Sequence, residues 1–411
     1  MTDKENNYYT TANKKYRLAC LVSHPVQYYS PLFKKIAEHP YIDLTVFYCS
    51  DESIRGMRDP GFGRVIKWDI PLLEGYRHKF LKNQSPQKTI FKLPFGLINL
   101  GIVKEISRKK YDAILIYSRQ YITHLLAFLT ARIKNVPILY LEETSLNQEI
   151  LKPGWKLFIK KIILGLLFSQ VTGFFAIGKE NRKFYRYHKI NDKKIFSVPF
   201  SVDNERLIKN YDLLIKNKKR LKKKIGIPDD KKVILFSGKL IRKKRPFDLL
   251  RAYERIKMND KALVFMGDGE LRKSLEKYVS EKNIKNVYFA GFKNQTEMPQ
   301  YYTIADIFVL PSSAGETWGL VVNEAMCFHL PVIISDLPGS GKDLVRDGEN
   351  GFIFRTGDID SLSECLSKLI QNEDLRKSMG ERSFEIIRKW DYEADIEGIL
   401  SAFRSINSGA K

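Results

Sequence analysis

The apolar residues of this chain gather in short unbroken runs. Between the runs lie stretches in which apolar positions recur every three or four residues. The first pattern is that of strands buried on both faces, and the second that of helices covering them. In the first half, 17–23, 42–49, 113–117, 136–141, 174–177 and 195–198 read as strands. Residues 31–37, 93–109 and 121–133 read as helices, and the Gly-, Asp- and Arg-rich stretch 51–75 as a long loop. After a connecting stretch at 199–203 and a charged helix over 204–224, the alternation resumes. Strands are expected at 232–238, 262–269, 287–292, 305–310, 331–335 and 351–354. Helices are expected at 249–256, 270–281, before His329, and at 362–370, 373–387 and 390–406. Strand–helix alternation of this kind predicts two doubly wound α/β domains facing a cleft. Their bounds are a disordered tail 1–15, a first domain 16–203, a second domain 204–388 and a terminal helical segment 389–411.

Charge narrows the partners. Among 411 residues, 70 Lys and Arg against 47 Asp and Glu leave a net charge of +23. Such a surface suits anionic partners or is simply solvated. The densest basic cluster, 216–224, has no aromatic or base-reading companions, so it reads as a solvated helix face and no nucleic-acid partner is expected. Cys20, Cys49, Cys327 and Cys365 lie far apart beside apolar runs, which predicts reduced, buried thiols in a cytoplasmic protein. The polar N-terminus has no secretory h-region, and no apolar run approaches the ~20 residues that span a bilayer. The stretch 155–168 is apolar and basic, with Trp155 at its head and Lys160 and Lys161 within it. It reads either as a helix packed on the sheet or as one that docks peripherally on an anionic membrane, the inner face of the plasma membrane.

Candidate chemistry concentrates where second-half strands end, the place where open α/β sheets bind ligands. The strand 232–238 ends in Gly238-Lys239-Leu240, followed by Arg242, Lys243, Lys244 and Arg245. A Gly there lets a ligand approach the backbone, and the cations suit a diphosphate. The strand 305–310 runs into a small-residue loop with Glu316, Thr317, Trp318, Gly319 and Leu320, then Glu324 in a helix. Free N–H groups at a helix start hold phosphate, whereas carboxylates hold neutral hydroxyls. A third loop, Gly339-Ser340-Gly341, reads as small and flexible. Together these pieces describe a nucleotide-diphospho-sugar pocket. Each alone has a bland reading: a turn with a solvated Lys, or a surface Glu.

Residues 237–347 resemble the donor half of glycosyltransferase family 4, retaining enzymes of the GT-B fold with two Rossmann-like domains. The E-x7-E motif of that family falls on Glu316 and Glu324, and its G-[RK]-L-x-x-x-K signature on Gly238, Lys239, Leu240 and Lys244. The resemblance implies that Lys239 and Lys244 bind the donor diphosphate and are catalytic. Glu316 would lie by the sugar and the reacting face, and Glu324 would hold the ribose. Residues Thr317 to Leu320 would supply backbone donors, and Phe292 and Lys293 would border the base. It further implies front-side displacement with retention, no metal and no other cofactor. A glycan or lipid-linked acceptor and domain closure are also implied, with the last helix crossing back to the first domain.

The first half departs from that family. Its first strand is followed by His24-Pro25-Val26-Gln27-Tyr28 rather than a Gly-rich loop, and Leu115-Ile116-Tyr117 stands where many members carry a catalytic His. Acceptor-side candidates are His24, Gln27, Tyr117, Arg119, His124 and Glu142, the last beside Glu143. Each has a structural alternative, and His124 in a helical run is more often packing than chemistry. Rival readings are a GT-B nucleotide-sugar 2-epimerase and a non-catalytic basic scaffold for membrane or nucleic acid. The lack of G-x-G-x-x-G after the first strand argues against a dehydrogenase.

Overall fold

The computed structural model describes residues 15–150 and 154–408; the expected tail, apart from Lys15, lies outside them. The first half forms strands β1 (Tyr16–Val22), β2 (Ile42–Tyr48), β3 (Met57–Asp59), β4 (Arg64–Ile66), β5 (Arg77–Phe80), β6 (Ala113–Tyr117), β7 (Ile138–Leu141), β8 (Gly173–Ala176) and β9 (Ile195–Ser197). Seven of these make one sheet in the order β5-β2-β1-β6-β7-β8-β9, with every pairing parallel. The second half forms β10 (Lys232–Ser237), β11 (Lys261–Met266), β12 (Val287–Gly291), β13 (Ile307–Leu310), β14 (Val332–Ser335) and β15 (Gly351–Phe354). They pair in parallel in the order β12-β11-β10-β13-β14-β15. Apolar runs such as Leu18–Val22 and Val233–Phe236 are buried, because helices cover both faces of each sheet. Strand order reverses between β1 and β6 and between β10 and β13. Each reversal opens a crevice at the carboxyl ends of the strands. This is the GT-B arrangement.

One apolar core runs from one face of the first sheet into one face of the second. Phe200 bridges them, packing edge-on against Tyr28 and near Trp318, which stacks on Trp390 with ring centroids 5.4 Å apart. The last helix, Tyr392–Ser408, lies against β9 and the helix Tyr29–Glu38. There Phe403 stacks on Tyr16, and the Tyr392 hydroxyl donates to the Tyr28 carbonyl at 3.2 Å.

Several elements differ from the sequence expectation. The supposed loop 51–75 contains the helix Glu52–Arg55 and the antiparallel hairpin β3–β4, and β5 adds an edge strand beside β2. These strands are three or four residues long and largely polar, too short for a period to register. The expected helix 93–109 is only Gly101–Arg108, since Pro94, Gly96 and Gly101 interrupt its first part. The 204–224 helix is divided into Asn204–Leu214 and Lys218–Ile225 by a tight turn. The helix carrying Glu324 is short, Val321–Met326, and the chain turns away at His329 with φ +55°. Gly339-Ser340-Gly341 is no flexible loop. It opens the buried helix Gly339–Leu344, and a Cβ on Gly339 would meet the Thr317 carbonyl oxygen at 2.3 Å.

Candidate functional site

The second-domain site forms at the β10/β13 reversal. Beyond β10, Gly238 adopts φ +142° and its carbonyl oxygen abuts Gly267, where a Cβ would come within 1.8 Å. That close approach leaves the basic loop room to fold over the strand end. Lys244 lies over Gly238, and its Nζ meets Glu316 Oε2 at 2.5 Å, with both side chains largely buried. Burial pushes the Glu316 carboxyl up, but Lys244 and Lys243 together outweigh burial and hold it below its ordinary range. Ser312 Oγ donates to the same carboxylate at 3.3 Å, and Lys243 Nζ donates to the Gly315 carbonyl at 3.0 Å. Of the other expected cations, Arg245 is tied to Asp248 and Arg242 points to solvent.

Glu324 sits one turn into its short helix, where the Tyr302 hydroxyl donates to Oε2 at 2.7 Å. Burial pushes its carboxyl up to about 7, with Tyr302, Arg206 and Lys244 pulling the other way. Gly319, at φ +97°, turns the 317–320 loop into that helix, and Leu320 precedes its first residue. The Trp318 side chain does not face the site: it is buried, its Nε1 donating to Asn323 and its ring against Trp390. Trp318 therefore contributes backbone alone. Ser340 Oγ donates to the Trp318 carbonyl at 2.7 Å and fixes the loop from behind.

The hairpin β3–β4 of the first domain crosses to this site. Asp59 Oδ1 lies 2.8 Å from Lys239 Nζ, and Phe62 packs beneath the same ammonium. Phe62 also packs edge-on against Phe292, with Trp68 and the Arg64 guanidinium around that ring. Next to it, Asn294 donates to the Lys67 carbonyl and Thr296 to Asp69. Lys293 pairs with Glu297 at 3.3 Å and lies over Tyr301. Asp59 and Phe62 were not legible as site residues, since only the folded hairpin brings them there.

On the first-domain side, a cavity of about 380 Å³ opens at the carboxyl ends of β1, β6 and β7 and reaches Thr317. His24, Tyr117, Glu142 and Glu143 line it, together with Tyr29 and Gln148. His24 shares a hydrogen bond of 2.9 Å between Nδ1 and Ser23 Oγ, and burial pulls its imidazole down to about 4, so the ring is neutral at pH 7. Glu143 accepts from the Tyr29 hydroxyl at 2.5 Å, and burial holds its carboxyl above the ordinary range. Gln148 Nε2 donates to Thr317 Oγ1 at 3.2 Å across the domain boundary.

Three other acceptor-side candidates, Gln27, Arg119 and His124, lie outside the cavity lining. His124 faces the interior of its helix, fully buried, with neither ring nitrogen hydrogen-bonded, and burial pulls it down to about 3. It packs; it does not reach the cleft. Arg119 is locked in an ion pair with Glu142 and donates to the Tyr140 hydroxyl. Glu142 is thereby neutralised within its own domain, with Tyr140 and Thr144 hydroxyls completing its hydrogen bonds. Gln27 occupies the turn before the helix Tyr29–Glu38, outside the cavity lining. Glu142 and Glu143 both line the cavity, Glu142 held by Arg119 and Glu143 accepting from the Tyr29 hydroxyl. The four cysteines are free and buried. Among the described residues, no group of three or more His, Cys, Asp or Glu is placed to hold a metal ion, and no helix is long and apolar enough to cross a membrane.

With this geometry in hand, residues 198–385 match the family of glycosyl transferases group 1. The second half of the chain is thus similar to that family. The uncharacterized glycosyltransferase MJ1178 of Methanocaldococcus jannaschii is 29% identical over 231 residues, 56% of this chain and 64% of that protein. The lipopolysaccharide core biosynthesis glycosyltransferase LpsE of Rhizobium meliloti is 28% identical over 184 residues, 44% of this chain and 52% of its own. In both, the alignment spans less than two thirds of the relative. Among solved structures, Anabaena HepE in complex with UDP superposes with TM-score 0.73 at 17% identity, covering 95% of this chain and 100% of that one. A glycosyltransferase from Rickettsia africae gives TM-score 0.73 at 15% identity over 96% and 99% of the two chains. These likenesses establish the GT-B fold over nearly the whole chain.

Proposed function

We propose that the chain is a retaining hexosyltransferase, moving a sugar from a nucleotide-diphospho-sugar to an acceptor hydroxyl in cell-surface polysaccharide or glycolipid synthesis. The observation that carries this reading is the buried Lys244–Glu316 pair over Gly238 at the strand reversal, with Lys239 beside it and the first-domain cavity abutting at Thr317. A diphosphate entering there takes Lys244 from Glu316 and Lys239 from Asp59. Glu316, so released, accepts hydrogen bonds from the sugar, and Glu324 with Tyr302 holds the ribose. The amides of Thr317 to Leu320 meet phosphate oxygens, and Phe292 and Lys293 border the base. The acceptor oxygen bonds to the anomeric carbon as the bond from that carbon to the diphosphate oxygen breaks on the same face. The acceptor proton passes to the departing phosphate oxygen. Lys239 and Lys244 stabilise the charge gathering there, the term that preorganised cations supply best. Glu143 and neutral His24 orient the acceptor in the cavity. Because lysines supply the positive charge, transfer proceeds without a metal and survives a chelator.

The names of the relatives favour transfer over epimerisation, and LpsE favours a surface-glycan setting. UDP in HepE makes uridine nucleotides the first donors to try. The test is incubation with a panel of nucleotide-sugars and a glycan acceptor, followed by NMR of the product. Release of nucleoside diphosphate with the donor's anomeric configuration kept is expected. An inverted product, or an epimerised nucleotide-sugar without transfer, overturns the reading.

A further inference from the structure

We propose that the outer helical face of the first domain docks on an anionic lipid bilayer. Among the described residues, every exposed large apolar side chain except Tyr41, Val65 and Leu213 lies between Phe91 and Leu166. The structure gathers this segment on one side of the first sheet. The helices Gly101–Arg108, Ile122–Ile133 and Gly154–Phe168 bury Ile102, Phe128 and Leu164 in the same core, on the same sheet face. Their opposite sides therefore point outward together. Leu125, Leu129 and Ile133 follow each other at four-residue spacing along one helix, the last two 62% and 74% exposed. Ile163 and Leu166 on the neighbouring helix are 58% and 71% exposed. A helix facing water presents a polar outer side, whereas Ile122–Ile133 and Gly154–Phe168 present largely apolar ones and Gly101–Arg108 adds Val103.

Charge selects the occupant. Neither Ile122–Ile133 nor Gly154–Phe168 contains an acidic residue. The one acid of Gly101–Arg108, Glu105, is paired with Lys79. Around the apolar face stand the exposed cations Lys104, Arg108, Arg132, Lys134 and Lys161. A second copy meeting this face with its own would set these cations against each other. A bilayer carrying anionic headgroups accepts the apolar side chains and neutralises the basic rim together. The face starts at the cleft: Ile122 N–H donates to the Pro94 carbonyl, which places the 91–97 stretch at the head of the helix that follows β6. Docking there sets the acceptor cavity next to the lipid surface. The inference stands on exposure and charge and does not depend on the donor assignment.

The test is co-sedimentation of the full chain with phosphatidylcholine vesicles, with and without phosphatidylglycerol. Binding is expected only with the anionic lipid. Leu129→Glu with Ile133→Glu is expected to weaken it by on the order of tenfold or more, and Arg132→Glu with Lys134→Glu by a similar factor. Both pairs are solvent-exposed, so the thermal midpoint should hold, which separates loss of docking from loss of fold. Equal binding to neutral and anionic vesicles, or no binding to either, overturns the proposal. So does a wild-type dimer that the Leu129→Glu, Ile133→Glu variant splits, which would assign the face to a second copy.

Discussion

Replacing Lys244 by alanine perturbs stability and turnover by separate routes whose sizes follow from the structure. Its ammonium lies 2.5 Å from Glu316, with the two side chains only 13% and 11% exposed. Removing one partner of a buried pair leaves the other charge without compensation, at a cost of about 3–5 kcal/mol. Lys243 still acts on Glu316, so the lower end, about 3 kcal/mol, is expected. At about 2–4 °C per kcal/mol for a domain of this size, that is a fall in thermal midpoint of about 6–12 °C. In the proposed transfer Lys244 supplies a cation at the departing diphosphate, so its removal should lower kcat by about 10²–10³-fold. Adding Glu316→Gln removes the orphaned charge and should restore much of the stability while leaving turnover low. Differential scanning fluorimetry and a nucleoside-diphosphate release assay measure the two effects. Near-normal turnover in Lys244→Ala would show that Lys244 does not act on the departing diphosphate. Recovery of turnover together with stability in the double variant does so as well, since Lys244 would then act only by holding Glu316 in place.

Other consequences are as direct. Glu324 holds its proton up to about 7 in the folded chain against 4.5 ordinarily. Between those values the folded state binds more protons than the unfolded one, so stability falls as pH rises from 4.5 to 7. Denaturant unfolding at pH 4.5 and 8 should show that loss in the wild type and a smaller one in Glu324→Gln. Asp59→Asn removes the carboxylate that holds Lys239, and nucleoside-diphosphate affinity should rise about two- to fivefold, the value of a partly exposed pair. Titration calorimetry that finds weaker binding would show instead that the hairpin supports the site. His124→Leu replaces a buried imidazole without hydrogen bonds; turnover within about twofold of wild type and unchanged or higher stability are expected. A large fall in turnover would return His124 to the site.

The sequence was most informative where chemistry is local. Lys239, Lys244 and Glu316 follow the ends of β10 and β13 closely, which drew attention to those strand ends, whereas Glu324 lies a loop and a helical turn beyond β13 and was singled out by its spacing from Glu316. The hairpin β3–β4 was invisible for the opposite reason. Its three-residue strands gain their form from contacts across the cleft, Phe62 on Phe292 and Asp59 on Lys239. Telling Glu143 from Glu142 required tertiary partners, since both line the cavity and only Glu142 is paired with Arg119, while Glu143 meets Tyr29. His124 was ambiguous because its helix is apolar on both sides, with Leu125 and Leu129 exposed opposite the buried face. The hydrophobic pattern there had no polar side by which to orient the helix. That same absence is what marks the proposed lipid-facing surface.

In the proposed function Lys239 and Lys244 grip a donor diphosphate at the carboxyl ends of β10 and β13. Calorimetric titration of nucleoside diphosphates into the wild type, Lys239→Ala and Lys244→Ala, with the matching nucleosides as controls, measures that grip. One diphosphate is expected to bind, its nucleoside far more weakly, and each lysine variant is expected to lose about tenfold or more in affinity. Binding that is unchanged in both variants, or no binding by any nucleoside diphosphate, would contradict it.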